Sequence, residues 1–256
     1  MGRPKLAVWK FASCDGCQLT VLNCEDELLE LTRSVDIVHF MEATSRAEPG
    51  PYDLSIVDGS ITTAEDAERI LAIRAQSKKL MTVGACATAG GIQALRNFRN
   101  HADMMSIVYA RPEYVDSLST STPISQHVEV DYELWGCPID KHQLLEVISA
   151  LLHGRKPAVQ SYSVCVECKM RQHVCVVVAK GIPCLGPVTR DGCGALCPSY
   201  SRGCYGCFGP NDAPQTKTLS RYYLAKGARP EHVKRLFSTF NAAADAFRAE
   251  AERHED

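Results

Sequence analysis

Eight cysteines lie between Cys165 and Cys207, separated by 2, 6, 8, 8, 3, 6 and 2 residues, so that a CxxCx6C triplet is answered by a Cx6CxxC triplet. Through this stretch helical periodicity disappears and Cys, Gly and Pro dominate, a composition suited to a region held by metal rather than by an apolar core. Five more cysteines stand apart: Cys14 and Cys17 as a CxxC pair, then Cys24, Cys86 and Cys137. Thirteen is an odd count, which argues against complete disulfide pairing.

The compartment points the same way. "MGRPKLAVWKFAS" is too short and too mixed for a secretory signal and lacks a twin-arginine pair, and no apolar run approaches the ~18–20 residues of a membrane span. A cytoplasmic location is expected, where disulfide frameworks are rare. Four thiolates hold one cubane, so twelve would hold three and leave one over. In two-cluster ferredoxins the last cysteine of each half ligates the other half's cluster. That nesting would group Cys165, Cys168, Cys175 and Cys207, and separately Cys184, Cys193, Cys197 and Cys204. Two structural zinc sites with four cysteine ligands also use CxxC pairs, and visible absorption separates the two chemistries. His173 lies inside the first triplet; with a full set of cysteines present it reads as an exposed or outer-sphere histidine.

Elsewhere the chain is ordinary. It has 256 residues, 45% of them hydrophobic and 23% charged, with net charge -2 and no block of five or six basic residues, so it carries no electrostatic footprint for nucleic acid or an anionic membrane. "KLAVWKFA", "VDIVHFME", "YDLSIVDGS" and "KKLMTVGAC" read as strands; "QLTVLNCEDELLELTRS", "TTAEDAERILAIRAQS" and "KHQLLEVISALLHG" read as helices. The alternation predicts an α/β domain with a parallel sheet, presenting Cys14, Asp58 and Cys86 at the carboxyl ends of strands. "GRKPAVQS" reads as a linker, and the chain turns helical again in "TKTLSRYYLAKG" and "PEHVKRLFSTFNAAADAFRAEAERH". Cys14, Cys17, Cys86 and Cys137 together suit one four-thiolate site at the sheet edge. "GACATAGG" lacks both GxGxxG and GxxxxGK[ST], so its glycines suit close approach of backbone to a cluster better than phosphate binding.

"CDGC" before a leucine-rich helix, "VDGSI", "GACATAGG" and "GCP", in this order, resemble the small, electron-transferring subunit of nickel-iron hydrogenases and, more distantly, its counterpart in respiratory complex I. "CLGPVTRDGCGALCPSYSRGCYGCFGP" resembles the corresponding subunits of soluble NAD(P)-linked or sulfur-reducing hydrogenases. The resemblance implies a flavodoxin-like domain over 1–155 with a proximal 4Fe-4S cluster on Cys14, Cys17, Cys86 and Cys137. It implies a ferredoxin-like domain over 156–212 with two further 4Fe-4S clusters, and a helical segment over 213–256. The proximal cluster would face the nickel-iron centre of a large subunit. Cys24, two turns along the helix after Cys17, is then the leftover and reads as a small buried hydrophobe. Asp58 stands where the family often has a glutamate; it either orders the loop at the proximal cluster, or joins a proton route, or caps the turn before "SITTAED", the last being favoured. His39 and His142 read as structural or surface residues.

Catalytic chains of the family need two CxxC pairs, an arginine before the first and "DPC" at the second. "CDGC" and "CYGC" have neither. The expected role is therefore an oxidoreductase subunit, without catalysis of its own, relaying electrons between a nickel-iron subunit and flavin- and iron-sulfur-bearing NAD(P) reductase subunits. A quinone-linked complex I-type subunit and a zinc-organised cytosolic scaffold are the alternatives.

Overall fold

The apolar runs of the N-terminal half become strands of one parallel sheet. In the computed structural model, which describes residues 2–254, β1 (Lys5–Lys10), β2 (Asp36–Phe40), β3 (Tyr52–Asp58), β4 (Ser77–Val83) and β5 (Tyr132–Leu134) take the order β2-β1-β3-β4-β5. Every neighbouring pair is parallel. This is the doubly wound order of flavodoxin, whose functional groups gather beyond the carboxyl ends of the strands. β3 is central and buried everywhere but at Asp53, with Leu54, Ile56 and Val57 fully enclosed and the polar Ser55 and Asp58 buried beside them. The register sets Lys10 opposite Asp58, Asp58 opposite Val83 and Val83 opposite Leu134, so four strands end in one row. The segments leaving that row carry Cys14, Gly59, Cys86 and Cys137.

Helices α1 (Gly16–Leu22), α2 (Asp26–Ser34), α3 (Ala64–Ala75), α4 (Gly84–Ala89), α5 (His101–Val108) and α6 (Lys141–Leu152) accompany the sheet. Leu54 and Ile56 enter one apolar cluster with Val21, Leu144, Val147 and Ile148, whereas Val57 enters another with Phe11, Ile61, Ile70 and Ile73, as alternation along a strand requires. Each such fully buried side chain contributes about 1.5–3 kcal/mol. Thr63 caps α3 by accepting the Asp66 N–H at 3.1 Å, and Asp140 caps α6 by accepting that of Gln143 at 2.9 Å. The leucine-rich stretch after Cys17, which reads as one helix, is two: Glu25, at φ 46°, breaks it between Leu22 and Asp26. Cys24 sits in the break, 1% exposed, with its thiol donating to the Thr20 carbonyl at 3.4 Å, and it fills the space of a small hydrophobe.

The chain divides into two compact units, Met1–Leu134 with Pro138–Val159, and Trp135–Cys137 with Gln160–Asp256. The second holds α7 (Val164–Met170), α8 (Val176–Lys180), α9 (Leu196–Ser199), α10 (Thr216–Ala225), α11 (Pro230–Phe237) and α12 (Asp245–Glu252). Among its described residues there is no strand, only isolated bridges such as Ser163 to Arg190 and Thr189 to Pro210. The helices expected as a separate segment over 213–256 share a core with the cysteine region: Tyr223, Val233, Phe237 and Phe247 pack with Leu185 and Val188. The long helical run from Pro230 is broken between α11 and α12, where the Asn241 side chain donates to the Gly206 carbonyl at 2.8 Å and Thr239 to that of Tyr205 at 2.7 Å. Among the described residues no helix is long and apolar enough to cross a membrane.

Candidate metal centres

Cys14 and Cys17 flank the tight turn that leads from β1 into α1, with Asp15 in the left-handed conformation at φ 64°. Asp58, at the end of β3 and 1% exposed, holds both sides of that turn. Its carboxylate accepts from the hydroxyl of Ser13, the residue before Cys14, at 2.9 Å, and from the amide of Gln18, the residue after Cys17, at 3.4 Å. Burial pushes the Asp58 carboxyl above the usual range, against the pull of these two donors. The Gly59 N–H also acts on this carboxylate, in the turn before Ser60 where a capping role is expected, while Thr63 caps α3; the aspartate in addition points back to the cysteine loop because its strand ends in the same row as β1.

Cys86 lies on α4. Its thiol donates to Gln93 Oε1 at 3.8 Å, while Gln93 Nε2 donates to the Ala12 carbonyl at 2.7 Å and to Ser60 Oγ at 3.0 Å. One glutamine thus ties the Cys86 loop to the Cys14 loop. Gly91, at φ 68°, passes so close that a β-carbon there would stand 2.7 Å from the Cys86 sulfur. Ala12, Ser13, Cys14, Thr62, Gln93 and Arg96 line a cleft of about 420 Å³ in which Cys14 is exposed. Cys137 groups with the second unit, while the next residue, Pro138, returns to the first and lies 3.8 Å from where a Gly16 β-carbon would be.

In the second unit the eight thiols act on one another electrostatically: Cys168 feels Cys165, Cys184, Cys175 and Cys193, Cys184 feels Cys175 and Cys197, and Cys207 feels Cys193, Cys137 and Cys197. The spacer after Cys175 is folded rather than extended. α8 closes on Gly181 at φ 64°, the Gly181 N–H returns to the Val177 carbonyl and that of Ile182 to Val176, an αL-type cap that turns the chain before Cys184. Spacing alone does not reveal that eight residues fold into a turn. The Cys204 N–H donates to the Cys184 sulfur at 3.1 Å. Gly186 N–H also donates to Cys184 Sγ, and Gly206 N–H to Cys204 Sγ, each at 3.4 Å.

None of the thirteen cysteines is in a disulfide. Burial pushes the Cys168 thiol up to about 11 and the Cys207 thiol up to about 12, and raises Cys165, Cys184, Cys193 and Cys204 as well, with neighbouring thiols adding to the effect. Buried thiols beside one another are unfavourable as bare thiolates and become favourable against a cationic iron core, so the all-cysteine donor set suits a cluster by its chemistry, while among the described residues no three such side chains converge on one metal position. Buried polar atoms without partners, His173 Nε2 and Asp191 Oδ1, lie in the same region. His173 is half-buried rather than exposed. Sequence reading missed Ser13, Gln18, Gln93 and Tyr223 as supports. The hydroxyl of Tyr223 accepts from the Cys184 N–H at 2.8 Å and donates to its carbonyl at 2.7 Å, and no spacing rule announces such a residue. His39 stacks on Trp9 with ring centroids 3.9 Å apart, a structural role as expected.

Residues 14–151 match the family model described as NADH ubiquinone oxidoreductase, 20 Kd subunit. The chain belongs to that family. It is 38% identical over 207 residues to sulfhydrogenase 2 subunit delta of Pyrococcus furiosus, covering 81% of this chain and 86% of that one. It is 27% identical over 169 residues to the NAD-reducing hydrogenase HoxS subunit delta of Cupriavidus necator, covering 60% and 81%. A chain in the crystal structure of an NAD+-reducing NiFe hydrogenase in the H2-reduced state superimposes with a TM-score of 0.56 at 27% identity, covering 61% of this chain and 94% of that one. Within the family this is an iron-sulfur small subunit of a nickel-iron hydrogenase of sulfhydrogenase type, one part of an oxidoreductase.

Proposed function

We propose that this chain relays electrons one at a time through three 4Fe-4S clusters, between a nickel-iron large subunit and a flavin-bearing NAD(P) reductase or comparable acceptor subunit. What supports the reading most is the concentration of eight unpaired cysteines in one compact unit, with backbone N–H groups aimed at the sulfurs of Cys184 and Cys204. Cys165, Cys168, Cys175 and Cys184 are assigned to one cluster, and Cys193, Cys197, Cys204 and Cys207 to the other. The proximal set, Cys14, Cys17 and Cys86 with Cys137, rests on the family pattern of motifs. A bound cluster supplies one-electron exchange, which bridges the two electrons of hydrogen and the two that a flavin collects.

The chain's own residues divide the work. Asp58 and Gln93 fix the Cys14, Cys17 and Cys86 loops beside an open cleft, where the large subunit is assigned. On the second unit Cys175 is the exposed ligand, set among Met170, Val174 and Val178 at 79%, 70% and 83% exposure. From residue 168 to 190 there is no acidic side chain, while Lys169, Arg171 and Lys180 are exposed. An acceptor subunit with an apolar, acid-rimmed face suits that surface. The location is assigned to the cytoplasm.

The test is co-expression with a nickel-iron large subunit. Replacing Cys14 or Cys86 by serine abolishes hydrogen-driven reduction of the remote acceptor while the nickel site still forms. A monodisperse isolated chain that reduces viologen with hydrogen unaided would overturn the proposal.

A further inference from the structure

Glu167 lies on α7 inside the Cys165/Cys168 pair, yet its carboxylate serves another part of the chain. Oε1 accepts the backbone N–H groups of Gly192 at 3.1 Å and Gly194 at 3.0 Å; Oε2 accepts that of Ala195 at 3.0 Å and faces the Cys193 thiol at 3.9 Å. Arg171, one turn further along the chain, reaches the same loop, where a β-carbon on Gly194 would stand 2.7 Å from its Nη2. A carboxylate among thiols that must become anionic is electrostatically unfavourable, so its retention calls for a reason. Three converging N–H groups form a nest that neutralises it. The loop needs such a hold: Gly192, Gly194 and Ala195 all have positive φ, and Ala195, at φ 54° and fully buried, bears the steric conflict of a β-carbon in the left-handed region.

We infer that Glu167 is a positioning residue for the thiol group to which its own CxxC pair does not belong. α7 delivers Cys165 and Cys168 to one group and, through this carboxylate, fixes the loop that presents Cys193 and Cys197 to the other. The two groups are thereby joined mechanically, and one negative charge is shared where they adjoin. The inference rests on reading both groups as cluster sites; the hold on the loop stands on the contacts alone.

The experiment compares the co-expressed complex, purified without oxygen, as wild type, Glu167→Ala and Glu167→Gln. Cluster signals are assigned beforehand with Cys168→Ser and Cys207→Ser. Glu167→Ala is expected to lose the iron of the Cys193 group, about a third of the iron this chain holds, while the Cys165 group keeps its paramagnetic signal. Glu167→Gln keeps the side chain's length, loses the charge and at least one N–H bond, and retains the iron. Its Cys193-group potential moves positive by about tenfold in the reduction equilibrium, or about 59 mV for one electron. Amide exchange over residues 190–197 quickens at least about tenfold in both variants, as loss of a charge-assisted hold requires. Damage confined to the Cys165 group, or wild-type potentials and exchange in both variants, would overturn the inference. Absence of any cluster signal in the wild type would instead sink the proposed function, and the exchange comparison still tests the hold on the loop.

Discussion

The two units place their cysteines differently with respect to their cores. In the first, Leu54, Ile56, Val57, Leu80 and Met81 are buried within a sheet; Cys14 and Cys86, beyond the strand ends, stand outside its core, while Cys17 packs into it. In the second, Cys184 and Cys204 are themselves members of the core, packed with Val164, Val176 and Ala195. The first unit has a sheet core largely of apolar side chains, whereas the second has no strand among its described residues, and on the proposed reading its cysteine loops would be held by what the thiols bind. The helices α10–α12 supply its metal-independent support, through Tyr223 at Cys184 and Asn241 at Gly206.

The sharpest way to break this comparison is to remove iron with a chelator under mild oxidation. Amide exchange over residues 163–210 is expected to rise by at least about a hundredfold, with amides of β1, β3 and β4 unchanged. Equal loosening of both units would contradict it. Next in size is Ile56→Ala, which should lower the unfolding free energy of the first unit by about 2–5 kcal/mol while leaving the signals of the two C-terminal clusters as they are. Those signals collapsing together with the sheet would show the two regions to be one cooperative unit.

Tyr223→Phe is smaller. It leaves the buried N–H and carbonyl of Cys184 without their shared partner, a cost of about 1–3 kcal/mol, read as earlier thermal loss of the Cys184-group chromophore. The smallest effect is at Asp58. Its folded-state pKa is raised, so between the ordinary value of 3.8 and the raised one the folded state binds more protons than the unfolded, and stability from this group is lost as pH rises through that window. The stability of wild type relative to Asp58→Asn should therefore fall with rising pH across it. A flat difference would mean that the carboxyl is not desolvated as its burial indicates.

Much of the first unit is legible in the sequence because buried parallel strands are short apolar runs and because the loops after "KFA", "VDG" and "TVG" leave strands that end in one row. The break at Glu25 is hidden, since leucines continue at helical spacing on both sides of it. β5 is hidden too: three residues in a polar stretch give no period. In the second unit the sequence shows the eight thiols and their mirror-like spacing but not the fold between them: the spacer after Cys175 contains α8 and turns at Gly181 before it reaches Cys184. For Asp58 a local turn-capping role can be read from sequence, whereas its hydrogen bonds to Ser13 and Gln18, made across the sheet edge, cannot.

Iron and acid-labile sulfide analysis of the anaerobically purified complex, corrected for iron held by its other subunits, tests the central claim most directly. Twelve cysteines in three sets of four require about twelve iron atoms and about twelve sulfides per chain. Zinc in place of iron, or about four iron atoms with no more sulfide than that, would contradict a three-cluster relay.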